Sequence, residues 1–336
     1  MAKNHIIPIF LPMVGCPHRC SYCDQFTITG ASPLSPGEVG ALIEEALPRA
    51  GAREGELEIA FYGGTFTLLP PAAMEAYLQV AGAYSQKIRI STRPDAVDEE
   101  LLNFLKERGV ATIEFGIQST DAEVLSRANR SIPLPVMEEA CHLVRKVGMK
   151  LGLQQMMGLP QDSLKKCLKT ARWMIDQRPD FVRIYPTQVF PNTPLAEDYD
   201  RGAYSPLSLV EAVDWLAALL KVYDREGIPV IRVALPPQEG ARGPFHPQLR
   251  ELAEHQLCYE KFIAGEDLNH LLGAVGEARS INLLVGPGAM GRKKLEAATK
   301  RKLKFQYGEG PLRGIYGEAL QGAREVLKEG KGDLCT

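Results

Sequence analysis

Long apolar segments are missing from this 336-residue chain, and so is a strong excess of charge of either sign. No stretch reaches the roughly 18 consecutive apolar residues that a membrane-spanning helix needs. The net charge of -2 gives no overall attraction to nucleic acid. The first residues, MAKNHIIP, have neither the apolar core nor the cleavage site of a secretory or import signal. The sequence therefore predicts a cytoplasmic globular protein.

An even set of cysteines suited to disulfides is missing as well. Three of the seven, Cys16, Cys20 and Cys23, crowd into one short segment. An odd, clustered count argues against a disulfide framework and for a metal site in a reducing compartment. The other four stand alone: Cys141, Cys167 and Cys258 fall in helical patterns and are predicted to be core or surface thiols, and Cys335 lies in a tail that we expect to fray.

Short apolar, β-branched runs alternate with helix-like patterns along the first 235 residues. We expect strands at 5–13, 57–62, 87–91, 111–117, 150–157, 181–187 and 228–235. We expect helices at about 36–49, 71–84, 98–108, 121–127 with 134–147, 162–177 and 208–226. This alternation is typical of βαβ units and a parallel sheet. Six units and a seventh strand predict an α/β fold, an open or partial (β/α)6-type barrel rather than a doubly wound sheet.

Single residues mark several of the expected helix ends. Asp98 and Asp162 are suited to be N-caps, because an aspartate side chain accepts hydrogen bonds from the first free amides of a helix. Gly109, Gly148 and Gly227 stand where helices should stop.

Proline and glycine cluster between residues 236 and 247, in PPQEGARGPFHP. Such breakers are typical of connectors and predict a domain boundary near residue 240. We therefore expect a partial barrel at 1–240 and a small C-terminal α+β extension at 241–336. The extension contains a helical stretch at 246–264, an apolar segment at 281–285, the glycine-rich GPGAMG at 286–291 and a basic run at 292–304.

Residues suited to ligand binding follow the predicted strands, where the working residues of a barrel gather. Gly63 and Gly64 lack side chains, so backbone carbonyls can approach a ligand there. Arg93 has the rigid fork that recognises a carboxylate. Each candidate also has a purely structural interpretation. The glycines can form a plain turn, and Arg93 can lie at the surface. The side-chain amides of Gln118 and Gln154 can satisfy only buried backbone groups. The candidates are Gly63, Gly64, Thr65, Ser91, Arg93, Gln118 and Gln154.

The cysteine segment GCPHRCSYC has the spacing C-x-x-x-C-x-x-C, so one loop can surround one metal cluster. Three cysteines on a [4Fe-4S] cluster leave one iron without a protein ligand, and an open position allows a metal centre to bind a reactant. The alternative is a structural zinc site in which His18 is the fourth ligand. The spacing is not that of paired zinc knuckles, and the chain has no second C-x-x-C.

Several motifs resemble those of one superfamily. The segment Cys16-x-x-x-Cys20-x-Tyr22-Cys23 looks like the signature of radical S-adenosylmethionine (SAM) enzymes. The match is closer to the subfamily that includes the radical SAM domain of the Elongator catalytic subunit, and it covers roughly residues 5–205. The matching runs are YGGTFTLLP (62–70), ISTRPD (90–95), IEFGIQS (113–119), MMGLPQD (156–162) and RIYPTQVFPNTPL (183–195).

The resemblance implies a cofactor pair and roles for the candidate residues. It implies that Cys16, Cys20 and Cys23 bind a [4Fe-4S] cluster whose open iron is chelated by SAM. Reductive cleavage of SAM then gives a 5'-deoxyadenosyl radical, with the electron supplied by a flavodoxin- or ferredoxin-type donor. In such enzymes the glycine strand end holds the methionine amino group of SAM. Tyr22 would shield the cluster and pack against adenine, or only anchor the loop.

Two features separate the chain from the Elongator subunit. That subunit spaces its cysteines more widely and carries an acetyltransferase domain, whereas only about 95 residues follow the connector here. We therefore expect a short relative and do not carry over acetyl-CoA chemistry. The GPGAMG loop opens a run of seven basic residues with one acid, similar to a KH-type clamp on a nucleic-acid backbone. The basic residues are Arg292, Lys293, Lys294, Lys300, Arg301, Lys302 and Lys304. A solvated helix face and a plain turn explain the same pattern.

Three functions are consistent with the sequence. The first is a radical SAM enzyme that modifies RNA, in particular tRNA, which both the resemblance and the basic run favour. The second is a radical SAM enzyme acting on a small molecule or a protein side chain, because coproporphyrinogen oxidases share the cysteine pattern. The third is a nonenzymatic iron-sulfur or zinc protein that binds RNA.

Overall fold

The computed structural model describes residues 5–17, 19–26, 30, 32–51, 56–235, 240–244, 246–266, 271 and 273–315. Its contacts divide the chain into two compact units. The first unit comprises Met1–Ala212 and Arg225–Phe245, and the second comprises Val213–Asp224 and His246–Thr336. No described helix is both long and apolar enough to cross a membrane.

Seven parallel strands in sequential order form the sheet of the first unit. They are β1 (His5–Leu11), β2 (Leu57–Gly63), β3 (Ile88–Thr92), β4 (Val110–Gln118), β5 (Lys150–Met157), β6 (Phe181–Pro186) and β7 (Val230–Val233). Strands β1 and β7 are the two edges, so the twisted sheet is an open half-barrel. The predicted α/β partial barrel is thereby confirmed.

Eight helices follow or flank these strands. They are α1 (Pro36–Ala50), α2 (Pro71–Gly82), α3 (Glu99–Glu107), α4 (Ala122–Arg127), α5 (Leu134–Val147), α6 (Leu164–Asp176), α7 (Pro194–Asp200) and α8 (Leu209–Arg225). Asp98 is the N-cap of α3, as expected, and accepts a hydrogen bond from Leu101 N at 2.8 Å. Asp162 is not an N-cap: Ser163 caps α6, and Asp162 instead accepts from the backbone amide of Gly158.

Two predicted strands are too long, for identifiable reasons. Strand β1 ends at Leu11 because Met13 has a φ of 59°, which turns the chain out of the sheet. Strand β7 begins only after Pro229, which has no amide hydrogen to donate to the ladder. It ends before Ala234, whose φ is also 59°.

Side chains of β2 to β6 alternate between two different surroundings. Buried aliphatic residues such as Ile59, Ile90 and Ile113 occupy alternate positions and form part of the core. The intervening positions carry charged or polar residues, and Arg89 and Glu114 are buried among them. One face of the sheet therefore packs as an ordinary core, and the other is lined by polar side chains.

The second unit contains Val213–Asp224 of α8, three more helices and a small sheet. These elements are α9 (Leu249–Gly265), β8 (Gly273–Gly276), α10 (Ala278–Val285), α11 (Met290–Thr299), β9 (Lys304–Tyr307) and β10 (Arg313–Ile315). The strand order is β10-β8-β9, with β8 and β9 parallel. Phe262, Leu284 and Leu295 are among the buried residues of its core.

Candidate active site

The three clustered cysteines lie in the loop after β1, residues 13–25, which we call the cysteine loop. Backbone hydrogen bonds from Cys16 N to Met13 O (3.2 Å) and from Cys23 N to Cys20 O (3.1 Å) fold it into tight turns. Cys20 is buried, and Cys16 and Cys23 are half-buried. His18, the alternative zinc ligand, lies outside the described residues, as does Cys335.

The thiols of Cys16 and Cys20 lie close enough to affect the ionisation of Cys23. Burial, together with the neighbouring thiols of Cys20 and Cys16, raises the pKa of Cys23 to about 12. A bound metal ion lowers the pKa of a thiol, because it binds and stabilises the thiolate. Within the described part of the chain, no three His, Cys, Asp or Glu side chains are arranged to hold a metal ion as they stand. By contrast, Cys141, Cys167 and Cys258 are each buried in the protein interior.

Gly63, the last residue of β2, and Gly64, which follows it, pack directly against the backbone of the cysteine loop. Gly64 N donates to Leu11 O at 2.9 Å, and Thr65 N donates to Val14 O at 2.8 Å. A Cβ atom on Gly64 would overlap the carbonyl group of Val14, and one on Gly63 would lie 2.7 Å from Leu11 O. The glycines therefore admit the backbone of the cysteine loop itself.

Two side chains fasten this end of the loop. Gln25 accepts a hydrogen bond from Met13 N at 2.5 Å and donates to the carbonyl oxygen of Gly63. The buried hydroxyl of Thr65 lies 3.4 Å from Cys16 Sγ. Sequence reasoning missed Gln25, because no local feature distinguishes it from a surface glutamine.

The other end of the loop is held by the segment that follows α4. Ser21 N donates to Ala128 O at 3.0 Å, and the Asn129 side chain donates to Arg19 O at 2.6 Å. Arg130 Nη1 lies 3.6 Å from Cys20 Sγ. These contacts fix the backbone around Cys20.

Tyr22 leaves the loop toward two apolar groups of residues. It packs on the group containing Val124 and Met156 and on the group containing Val189 and Leu195. Burial raises the pKa of its phenol well above the usual value, and the thiol of Cys20 raises it further. These contacts hold the Tyr22 ring against both groups, and its two predicted roles, cofactor contact and loop anchor, stay predictions.

Two predicted ligand residues have buried side-chain oxygens whose hydrogen-bonding capacity no described residue uses. Ser91 Oγ and Gln118 Oε1 are buried and have no hydrogen-bond partner among the described residues. Gln118 has a φ of 68°, an unusual backbone conformation for a residue other than glycine. Ser91 lines a small cleft together with Tyr62 and Gly64, beside the cysteine loop. Buried unpaired oxygens of this kind are rare and indicate a missing partner.

Two other predicted ligand residues have partners within the protein. Arg93 donates to both carboxylate oxygens of Asp95, at 2.8 and 2.6 Å. Gln154 donates to Glu114 Oε2 at 3.0 Å. The structure therefore places Arg93 just after β3 and Gln154 within β5, with these hydrogen bonds already made.

Gln154 belongs to a buried charge network that we did not predict. Arg89 makes two hydrogen bonds to Glu58, at 3.0 and 2.7 Å, and a third to Glu114 at 2.8 Å. Arg183 Nη2 donates to Glu114 at 3.0 Å and to the Tyr62 hydroxyl at 2.6 Å. A signal was present: four of the apolar strands each carry one charge near the middle, Glu58, Arg89, Glu114 and Arg183.

Two family models match this chain in succession. The model of the Radical SAM superfamily matches residues 10–174, and the model of the Radical_SAM C-terminal domain matches residues 179–258. The chain belongs to the radical SAM superfamily. Radical SAM proteins are enzymes that use a [4Fe-4S] cluster and SAM, and both cofactors are therefore assigned to this chain. The predicted family, enzyme class and cofactors are confirmed.

Among curated proteins, Elongator complex protein 3 of Homo sapiens is 29% identical over 293 residues, which cover 71% of this chain and 53% of that protein. The tRNA uridine(34) acetyltransferase of Dehalococcoides mccartyi is 24% identical over 292 residues, covering 72% and 63%. This radical SAM chain thus spans about half to two thirds of the relatives' length. The structure of Methanocaldococcus infernus Elp3 with an N-terminal deletion shares the fold, with a TM-score of 0.56 at 18% identity over 77% of this chain and 63% of that one.

The residues present fit the two cofactors of the superfamily. Three thiols on one loop provide the donor set for iron. The unpaired oxygens of Ser91 and Gln118 lie at the strand ends, where a polar ligand can complete their hydrogen bonds.

The basic run of the second unit forms α11 and the residues after it, and all seven basic residues are exposed. Arg292 pairs with Glu296 at 3.2 Å, and Lys294 lies over the ring of Tyr259. No salt bridge to a described residue occupies Lys293, Lys300, Arg301, Lys302 or Lys304. The positive charge of these five residues is therefore not paired by any described residue.

The GPGAMG segment connects α10 to α11 and packs on a buried histidine. A Cβ atom on Gly286 would lie 2.7 Å from the His255 ring, and one on Gly291 would lie 2.5 Å from it. His255 Nδ1 is hydrogen-bonded to the carbonyl oxygen of Leu283. Packing against His255 accounts for Gly286, the Leu284 carbonyl together with the His255 ring accounts for Gly291, and Gly288 faces open space.

Proposed function

We propose that this chain is a radical SAM enzyme that acts on RNA, in particular tRNA, with the cluster held by Cys16, Cys20 and Cys23. The observation that carries the RNA part is the match over 71–72% of the chain to relatives named for Elongator and for tRNA uridine(34) modification. The exposed basic run adds a site for phosphate. The proposal does not include acetyl transfer, because the match spans only 53% and 63% of those proteins.

When bound, the cluster and SAM supply a 5'-deoxyadenosyl radical that removes hydrogen from the substrate. The chain's own residues hold and orient these groups. Ser91 Oγ and Gln118 Oε1 are suited to the hydroxyl and amine groups of SAM, since both are buried and unpaired. The Gly63 carbonyl accepts from Gln25 but has a second lone pair for the methionine amino group. Arg93, through its hydrogen bonds to Asp95, and Gln154, through its hydrogen bond to Glu114, help to position the strands around these groups.

The cysteine assignment is tested by substitution and anaerobic reconstitution. Replacing Cys16, Cys20 or Cys23 with Ala should remove the brown cluster absorbance and abolish 5'-deoxyadenosine formation after one-electron reduction, because each thiol is one of only three protein ligands. Cys258→Ala is the control and should keep both, since Cys258 is buried in the second unit. Retention of iron in all three variants would show that the ligands lie elsewhere.

The RNA assignment is tested by the salt dependence of binding to bulk tRNA. Replacing Lys300, Arg301 and Lys302 together with Gln should weaken binding and reduce the slope of log affinity against log salt by about 2 to 3, at about 0.7 to 0.9 per phosphate contact. The control replaces three exposed basic residues of α6, Lys165, Lys169 and Arg172, and should change the slope little.

The substrate itself is tested in cells. Mass spectrometry of nucleosides from total RNA, with and without the gene, should reveal one modified nucleoside that disappears. If RNA is unchanged while a small metabolite or a protein modification is lost, the RNA part of the proposal is wrong and the enzyme acts on that other class. If purified protein neither cleaves SAM nor binds iron, both enzymatic hypotheses are wrong and a nonenzymatic role replaces them.

A further inference from the structure

One guanidinium in the first unit is buried against the cysteine loop. Arg130 is 6% exposed, and its Nη1 lies 3.6 Å from Cys20 Sγ. Its Nη2 donates to the carbonyl oxygen of Gly116 on β4 at 2.6 Å, which fixes the plane of the fork. The arginine therefore has a defined position relative to the sulfur.

The neighbouring backbone is built to place this side chain. Arg130 follows Asn129, whose φ of 51° turns the chain back toward the loop. Gly116 leaves the required space, since a Cβ atom there would lie 3.1 Å from Arg130 Nη2 and 2.8 Å from the side-chain nitrogen Nε2 of Gln118. A larger residue on β4 would displace the guanidinium.

The charge of Arg130 has no direct salt bridge among the described residues, and the Asp95 carboxylate, itself hydrogen-bonded to Arg93, acts on it only from farther away. Within the described residues no Asp or Glu oxygen lies within 4 Å of its guanidinium, and its buried Nε has no hydrogen-bond partner. Burying an unpaired cation costs free energy. The other arginines of this sheet, Arg89 and Arg183, are instead neutralised by Glu58 and Glu114. The Cys20 sulfur, 3.6 Å from Nη1, is the group of the cysteine loop that the Arg130 charge meets directly.

We propose that Arg130 is a positioning residue that donates a hydrogen bond to the Cys20 sulfur and raises the reduction potential of the cluster. This inference depends on the proposed binding of the cluster by Cys16, Cys20 and Cys23. Hydrogen bonds to cluster sulfurs and nearby charge are among the factors that set such potentials. One electron from the external donor reduces the cluster from the 2+ to the 1+ state, which a fixed positive charge favours. No bond or proton changes at Arg130.

The test is a redox titration of the reconstituted protein without SAM, followed by electron paramagnetic resonance. Arg130→Met removes the charge and keeps most of the volume. It should make the one-electron reduction at least tenfold less favourable, a fall in potential of about 59 mV or more. Arg130→Lys keeps the charge and should lower the potential less. Arg127→Gln, at an exposed arginine of α4, should leave it unchanged.

Iron and sulfide are measured first, so that two failures can be told apart. If wild-type protein holds no cluster, the proposed function fails. If wild type holds a cluster and Arg130→Met has the same potential, Arg130 only supports the loop and the inference is overturned. An equal fall in Arg130→Lys and Arg130→Met would also overturn it, because charge would not be the cause. Should Arg130→Met lose its cluster, Arg130→Gln, a neutral donor, is titrated in its place with the same expected fall.

Discussion

The two units of this protein use basic residues and glycines in opposite ways. In the first unit Arg89, Arg130 and Arg183 are buried, and each is directed at a specific partner. In the second unit the basic residues of 292–304 are exposed, and most have no salt-bridge partner among the described residues. Buried arginines organise a site from within, whereas exposed ones remain available to an outside phosphate.

The glycine-rich segments differ in the same manner. Gly64 makes room for the backbone of the cysteine loop, which carries the chemistry. Gly291 makes room for the ring of His255, which belongs to the packing of the second unit. Both segments resemble ligand-binding turns in sequence. The two segments therefore differ in which atoms occupy the space beside each glycine, and not in whether a glycine is present.

The largest effect is expected where the first unit buries its charges. Glu114→Gln removes the carboxylate that Arg89 and Arg183 share and leaves buried positive charge unpaired. The free energy of unfolding should fall by about 3 to 5 kcal/mol, measured by denaturant titration. Glu45→Gln, in an exposed pair with Arg49, is the control and should cost at most about 0.5 kcal/mol. Equal small losses would mean that the network is not structural.

An intermediate effect is expected at the glycine pair. Gly64→Ala places a methyl group against the Val14 carbonyl and should lower the free energy of unfolding by about 1 to 3 kcal/mol, with reduced iron content after reconstitution. Gly82→Ala, in α2, meets no atom within 4 Å and should stabilise the protein by about 0.5 to 1 kcal/mol. A Gly64→Ala variant with full iron content would contradict the role given to this close approach.

The smallest effect concerns pH and the second unit. Burial lowers the pKa of His255, and the nearby charge of Lys294 lowers it further, while the Leu283 carbonyl opposes both. The unfolded chain therefore binds the proton more tightly. The stabilisation is complete above the unfolded pKa of about 6.5 and is lost as the pH falls through that value toward the lowered folded one.

Hydrogen exchange in the second unit should accordingly be faster at about pH 5.5 than at about pH 7.5, after correction for intrinsic rates. His255→Gln should remove most of this difference. Exchange in β2 to β6 provides an internal control and should not change when His255 is replaced. If the His255→Gln protein keeps the pH response, another group is responsible.

Much of the fold could be predicted from sequence because strand and helix patterns are local. The order of seven strands, the α/β class and the N-cap at Asp98 depend on short segments. Asp162 failed as an N-cap because its carboxylate is taken by the turn at Gly158, a contact that local sequence does not encode. The family, cofactors and enzyme class were also predictable, because the cysteine spacing and the motifs are specific.

The surroundings of the site were less predictable, because they depend on contacts between distant residues. Arg130 meets Cys20 across 110 positions in sequence, and Arg183 meets Tyr62 across 121. Gln154 was predicted as a ligand residue, but its partner Glu114 lies 40 positions away on a neighbouring strand. The partner of Arg93, Asp95, is only two positions away and was within reach of local sequence reasoning. The ligand contacts of all eight cofactor candidates, the domain roles and the RNA surface remain predictions.

The most direct test of the whole account is Mössbauer spectroscopy of protein reconstituted anaerobically with ⁵⁷Fe, recorded before and after addition of SAM. Three cysteine ligands predict a four-iron cluster in which one iron in four changes its signal when SAM is added, since only that iron lacks a thiolate. A spectrum in which all four irons are equivalent and unaffected by SAM, or a protein that holds zinc in place of iron, would contradict it.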